Sequence, residues 1–249
     1  MEEHLKKLRQ AELEAVRGYF KAGVRVLEIG GGSGYQASVL TSWGCEVASL
    51  DVPERPASTE IYYPVQDYDG RHFPFQNESF DIVFSSNVLE HIGDLPNLFA
   101  EIRRVIKPGH LAVHIVPSAT WRFWTILTHY PFLLRRLLAP SARTLGRVKQ
   151  ISIREKASQR GWAYALTRIL FPGPHGEYPN AISELYYFSR ARWTRVFERN
   201  RFEVVSVTGN QLFYTGYMVC PGLSFHVRRT LARALGSACH VFVTRAGSD

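Results

Sequence analysis

Four glycines fall within residues 30–34, two residues after an acid, in the stretch "VRVLEIGGGSGYQASVL". Glycine weakens regular structure, so such a cluster marks backbone that must approach something closely. The two common phosphate cradles match it poorly. A dinucleotide fingerprint needs glycines at i, i+2 and i+5. Counted from Gly30 the third position is Tyr35, and counted from Gly32 it is Ala37. A phosphate loop ends in Gly-Lys-Ser/Thr, and no lysine follows these glycines. The pattern that does hold is an acid followed by alternate glycines, Glu28-x-Gly30-x-Gly32-x-Gly34. A carboxylate there repels a pyrophosphate and suits a ligand with a positive end. Asp51 ends the next apolar run, 21 residues after Gly30. An acid at that spacing can accept from both hydroxyls of a ribose. The implied ligand has a ribose, a cationic portion and no phosphates.

Those residues must be held by strand ends, and the chain supplies strands at suitable intervals. Short apolar runs rich in β-branched residues predict strands at 24–29, 45–50, 80–85 and 110–116, with a weak one around Val65. Helical patterns predict helices over 2–20, 33–43 and 96–106, the last stopped by Lys107–Gly109. After a long break, a helix at 191–199, a strand at 202–209, a helix at 225–235 and a strand at 239–246 complete the set. Alternating strands and helices predict an α/β fold with a parallel sheet covered on both faces. Right-handed crossovers would gather the strand C-termini along one edge, where ligands bind.

Bulk composition narrows the class. With 249 residues and 45% hydrophobic content, the chain can form one sizeable core. No apolar run approaches the roughly 20 residues that span a bilayer. The charged amphipathic start lacks the apolar middle of a secretory signal, so a cytoplasmic location is expected. Cys45, Cys220 and Cys239 are widely separated, so neither a disulfide framework nor a metal site is expected. The net charge of +8 is concentrated over residues 121–171, where ten basic residues face Glu155 alone.

Four segments in order, "VLEIGGGSG", "ASLDV", "YDGRHFPFQNESFDIVFSSNVLEHI" and "EIRRVIKPGHLAVHIVPS", resemble the class I S-adenosylmethionine-dependent methyltransferases. S-adenosylmethionine has the ribose, the cation and no phosphate. The resemblance covers about residues 24–118 and resumes more weakly at 190–246. It implies a Rossmann-like, doubly wound, mostly parallel seven-stranded sheet with an antiparallel last strand, within a single domain over 1–249. It also implies roles for individual residues. Glu28 would orient the aminocarboxypropyl end, and Gly30 and Gly32 would let backbone pass beside the cofactor. Asp51 would hold the ribose hydroxyls, with Val52 against adenine. Asp69, beside Gly70, would accept from the adenine amino group, with Asp67 as the alternative. Ser86 and Asn87 would line the methionine side. His91 is either a base for an acceptor proton or a structural hydrogen bonder. Gly34 either joins the cradle or only permits close packing. The product would be S-adenosylhomocysteine.

The acceptor half is expected in a basic, aromatic, helical insertion over residues 118–190. Within it, Pro131 is expected to split 121–140 into two short helices. Its apolar groups and arginines suit either a lid packed on the core or a peripheral membrane contact. An acceptor that is a small or lipid-linked organic molecule, methylated at oxygen or nitrogen, is expected. RNA is disfavoured, because the aromatics alternate with leucines as in a core. His175 and Tyr178, in a loop rich in glycine and proline, are candidate acceptor contacts. The alternative is a protein that binds the donor without turnover, as a membrane-associated partner.

Overall fold

The computed structural model describes residues 2–53, 60–138, 170–217 and 222–247. Seven strands form one sheet in the order β3-β2-β1-β4-β5-β7-β6. They are β1 (Arg25–Ile29), β2 (Glu46–Asp51), β3 (Gln66–Asp67), β4 (Phe80–Ser86), β5 (Ile106–Pro117), β6 (Phe202–Gly209) and β7 (Cys239–Ala246). The first five run parallel, and β7 is antiparallel to both β5 and β6. The expected fold class is therefore observed, with the last strand inserted between its neighbours.

The helices are α1 (Glu2–Val16), α2 (Tyr35–Ser42), α3 (Leu95–Val105), α4 (Ala119–Leu138), α5 (Ser183–Tyr187), α6 (Arg190–Arg199) and α7 (Phe225–Leu235). Successive strand residues face opposite sides of a sheet, so each strand serves two cores. Leu27, Val83 and Ala112 pack with Phe99 and Ile102 of α3 and with Trp193 and Phe197 of α6. Val26, Phe84 and Val113 pack on the other side with Leu13 and Val16 of α1 and Leu40 of α2. The start of α3 is fixed by Asp94, whose side chain accepts from Asn97 N, with a proline in its first turn.

Three expectations are corrected. Lys107–Gly109 does not separate α3 from a strand beginning at 110, because β5 begins at Ile106. Ile106 pairs with Phe80, and a register shift before Ile82–Leu111 accommodates the extra residues. The strand near Val65 is only Gln66–Asp67. Pro131 does not split its segment, because α4 runs unbroken through it. Pro131 and Leu127, whose carbonyl loses its helical donor, both lie on the exposed face. Water can satisfy that carbonyl, which reduces the cost of a proline inside the helix.

Helix α4 turns Trp121, Arg122, Thr125 and His129 inward and leaves Phe123, Leu127, Tyr130 and Leu134 exposed. Arg122 is thus buried and does not face lipid or solvent. The basic residues expected between 143 and 168 lie outside the described residues.

Candidate functional site

The C-terminal ends of β1, β2 and β4 converge on one edge, and the glycine turn lies across it. Gly30 and Gly31 donate to Leu50 O at 2.8 and 3.0 Å, tying the turn to β2. Gly30 has φ +76°, and a Cβ there would sit 2.2 Å from Val88. Both the backbone conformation and the packing therefore require glycine. Gly34 has φ +74°, and its added Cβ would meet Tyr63 O at 2.5 Å. Gly34 therefore permits close approach of the Tyr63 backbone.

Glu28 is buried at the end of β1 and accepts from Ser49 Oγ at 2.5 Å. A Cβ on Gly31 would lie 2.0 Å from that Ser49 oxygen and 3.1 Å from Glu28 Oε2. The extra glycine thus makes room for a buried acid and its partner. Burial, and secondarily the charge of Asp51, raises the Glu28 pKa to about 7, although Ser49 opposes the shift. Folding therefore works against ionising this carboxylate. Its contribution to stability falls as pH rises from the ordinary carboxylate range to about 7, by about 3 kcal/mol in all.

Asp51 carries the second acid of the pair. Its Oδ2 accepts from Gly32 N at 2.7 Å, and its Oδ1 from Val52 N at 2.8 Å. It remains partly exposed, beside an exposed Val52. Gly32 has φ +55° and open space where a side chain would be. Asp69 stands on an exposed turn next to Gly70, where its Oδ1 accepts from Arg71 N and His72 N at 2.8 and 2.7 Å. These bonds pull its pKa down to about 2. Asp67 lies at the end of β3, paired in register with Asp51.

Ser86 ends β4, and Asn87 follows it with φ 55°. Asn87 Nδ2 donates to Ser86 Oγ at 3.2 Å. Arg9 of α1 reaches the same oxygen at 3.5 Å while pairing with the buried Glu12 at 2.8 Å. Glu12 also accepts from Asn210 Nδ2 at 3.1 Å and Tyr214 OH at 2.6 Å. Helix α1 is therefore bolted across this edge by a buried polar network. Its expected amphipathic pattern gave no hint of that network.

The remaining candidates cluster farther along the edge. His91 closes the 3-10 turn Leu89–His91, and its ring centroid lies 5.0 Å from that of His175. Tyr178 is half-buried, stacks on Tyr187 with ring centroids 4.2 Å apart and packs beside Phe188. The loop carrying His175 is anchored from below. Glu184 Oε1 accepts from His175 N and Gly176 N at 2.6 and 2.8 Å. Arg122 Nε lies 2.8 Å from Glu184 Oε2, and Arg122 donates to Ala181 O and Gly173 O. Sequence reasoning missed Ser49, Val88, Glu90 and Glu184. Each has at least one partner distant in the chain, such as Glu28 for Ser49, Gly30 for Val88, His175 for Glu90 and Arg122 for Glu184.

The chain belongs to the methyltransferase domain family, whose model matches residues 1–207. An uncharacterized methyltransferase of Mycolicibacterium vanbaalenii is 35% identical over 106 residues, covering 40% of this chain and 42% of the relative. Another, from Mycobacterium sp. (strain KMS), is 34% identical over 137 residues, 49% of each. The chain spans less than half the length of these curated relatives. Among solved structures, an S-adenosylmethionine-dependent methyltransferase from Mesorhizobium loti matches with a TM-score of 0.53 and 14% identity. That match covers 94% of this chain and 97% of the other. One from Aquifex aeolicus matches with a TM-score of 0.51 and 12% identity, covering 94% and 88%. At these identities the likeness is one of fold. No helix among the described residues is long and apolar enough to cross a membrane.

Proposed function

We propose that this methyltransferase uses S-adenosylmethionine to methylate oxygen or nitrogen on a small or lipid-linked organic acceptor. The observation that carries the reading is the pair of acids, Glu28 and Asp51, on adjacent strand ends around a side-chain-free glycine turn. Ionised together they repel, and that repulsion helps hold the Glu28 pKa up. A ligand bearing a cation and a diol, with no phosphate, relieves it. The residues present therefore fit this donor. When bound, the donor supplies an activated methyl group on a sulfonium that is its own leaving group.

The chain's residues bind and orient. Glu28 would hold the ammonium, Asp51 the ribose hydroxyls, and Val52 the adenine face. Asp69 would accept from the adenine amino group, and Ser86 and Asn87 would line the methionine side. Positioning an acceptor in line with the methyl is the main catalytic demand. His91, half-exposed at the same edge, would take a proton from an acceptor that needs a base. Formation of S-adenosylhomocysteine when acceptor fractions from a cell extract are added tests turnover. Donor binding without any such product would favour the non-catalytic alternative.

The Glu28 environment makes affinity depend on pH. A cation prefers the carboxylate, whereas the free site is protonated below about pH 7. Donor affinity should therefore rise roughly tenfold from pH 5.5 to 7. Glu28→Gln should weaken binding and flatten that dependence in calorimetric titrations. An unchanged slope in the variant would remove Glu28 from the site.

The exposed row Phe123, Leu127, Tyr130 and Leu134 on α4 supports a second proposal, peripheral contact with a membrane surface. Sedimentation with anionic vesicles should be measurable at low salt, and Leu127→Glu/Leu134→Glu should abolish it. No sedimentation at low salt would exclude the contact.

A further inference from the structure

One buried acid near the donor edge has no hydrogen-bond partner. Glu90, in the 3-10 turn after β4, is 1% exposed, and neither carboxylate oxygen accepts a hydrogen bond. Its Oε1 lies 3.7 Å from His91 Nε2 and 3.7 Å from His175 Nε2. One ligand atom from each of the three residues lies within 4.8 Å of the others. A buried carboxylate is costly unless paired with a cation or a coordinated metal. We propose that Glu90, His91 and His175 bind one divalent metal ion of the imidazole-preferring kind, such as zinc.

The geometry suits that assignment. Tetrahedral coordination at about 2.1 Å places ligand atoms about 3.4 Å apart. The observed separations from Glu90 are slightly wider, and both imidazoles are solvent-accessible side chains that can rotate inward. Glu90 is the fixed ligand. Its backbone carbonyl accepts from Glu177 N at 3.0 Å, and a Cβ on Gly176 would strike that carbonyl at 2.3 Å. The His175 loop is thereby pressed onto the turn that carries Glu90 and His91. Trp121 packs against the His175 ring at 4.8 Å and supports it from α4. Three protein ligands with an open, solvent-facing side describe a site that can take an exogenous oxygen ligand.

That position has a consequence for the acceptor, resting on the methyl-transfer reading above. The 3-10 turn begins two residues after Asn87, so the ion would sit beyond the methionine side of the cradle. A metal there would bind an acceptor hydroxyl and favour breaking its O–H bond, with the proton passing to water. His91 would then act as a ligand and not as a base. The acceptor class would narrow to molecules methylated at a hydroxyl oxygen.

The test uses the full chain, stripped with a chelator and titrated with zinc against a chromophoric competitor. One equivalent should bind with a Kd in the micromolar range or tighter. Glu90→Gln and His175→Ala should each weaken binding at least tenfold, whereas His226→Ala, on exposed α7, should not. Absence of saturable binding, or undiminished binding in both variants, would overturn the site. If Glu90→Gln fails to fold, His175→Ala on its half-exposed loop decides the question. Donor affinity measured on the same samples separates the two readings. Donor binding without metal binding would end this proposal alone, and metal binding without donor binding would end the methyl-donor reading alone.

Discussion

Asp51→Ala should weaken S-adenosylmethionine binding by roughly 10- to 100-fold without lowering the melting temperature. The carboxylate can accept from the ribose hydroxyls, and losing the equivalent of one charge-assisted hydrogen bond, about 1.5–3 kcal/mol net, corresponds to that range. It also orders the cradle by accepting from Gly32 N and Val52 N. Stability should not suffer, because Asp51 is partly exposed and the two amides can turn to water. Removing its charge also relieves the repulsion on buried Glu28. Loss of ligand affinity with stability kept or gained is the signature of a site residue, distinct from a packing residue. Isothermal titration and thermal unfolding on the same preparation give both quantities. An affinity within threefold of the parent would remove Asp51 from the cradle.

Arg122→Met should cost about 3–5 kcal/mol, the range for breaking one half of a buried ion pair. Both partners are essentially inaccessible, so Glu184 would be left as a buried charge without its cation. The carbonyls of Gly173 and Ala181 would lose their donor as well. For a chain of this length the loss corresponds to a drop in melting temperature of roughly 10 °C. Adding Glu184→Gln should recover part of it. The amide keeps an oxygen for His175 N and Gly176 N while removing the stranded charge. A single variant within about 2 °C of the parent, or a double variant less stable than the single, would contradict this reading.

The glycine turn and its two acids were legible in the chain because their spacing is local. Glu28, the glycines and Asp51 announce themselves by spacing, and apolar runs marked the strands. The observed edge brings those residues together with no rearrangement of the expected elements. The rest was opaque because its contacts are long-range. Glu90 and His175 meet across 85 residues of chain, and Arg122 and Glu184 across 62. Arg122 looked like one more surface cation among many, yet it is buried against an acid that no periodicity singled out. Pro131 was read by its usual effect on helices. The face it occupies lets water take over the lost backbone bond, so α4 continues. Gly31 falls outside the alternate-glycine spacing, and only the packing shows that Ser49 and Glu28 occupy the space of its side chain.

The most direct test is calorimetric titration of the folded protein with S-adenosylmethionine at pH 7, repeated with S-adenosylhomocysteine and with NAD. Saturable one-to-one binding of both sulfur nucleosides, with none of NAD, is expected from two acids around a glycine turn with no phosphate partner. Binding of NAD, or no binding of either sulfur nucleoside, would contradict the assignment of Gly30–Gly34 as the methyl-donor cradle.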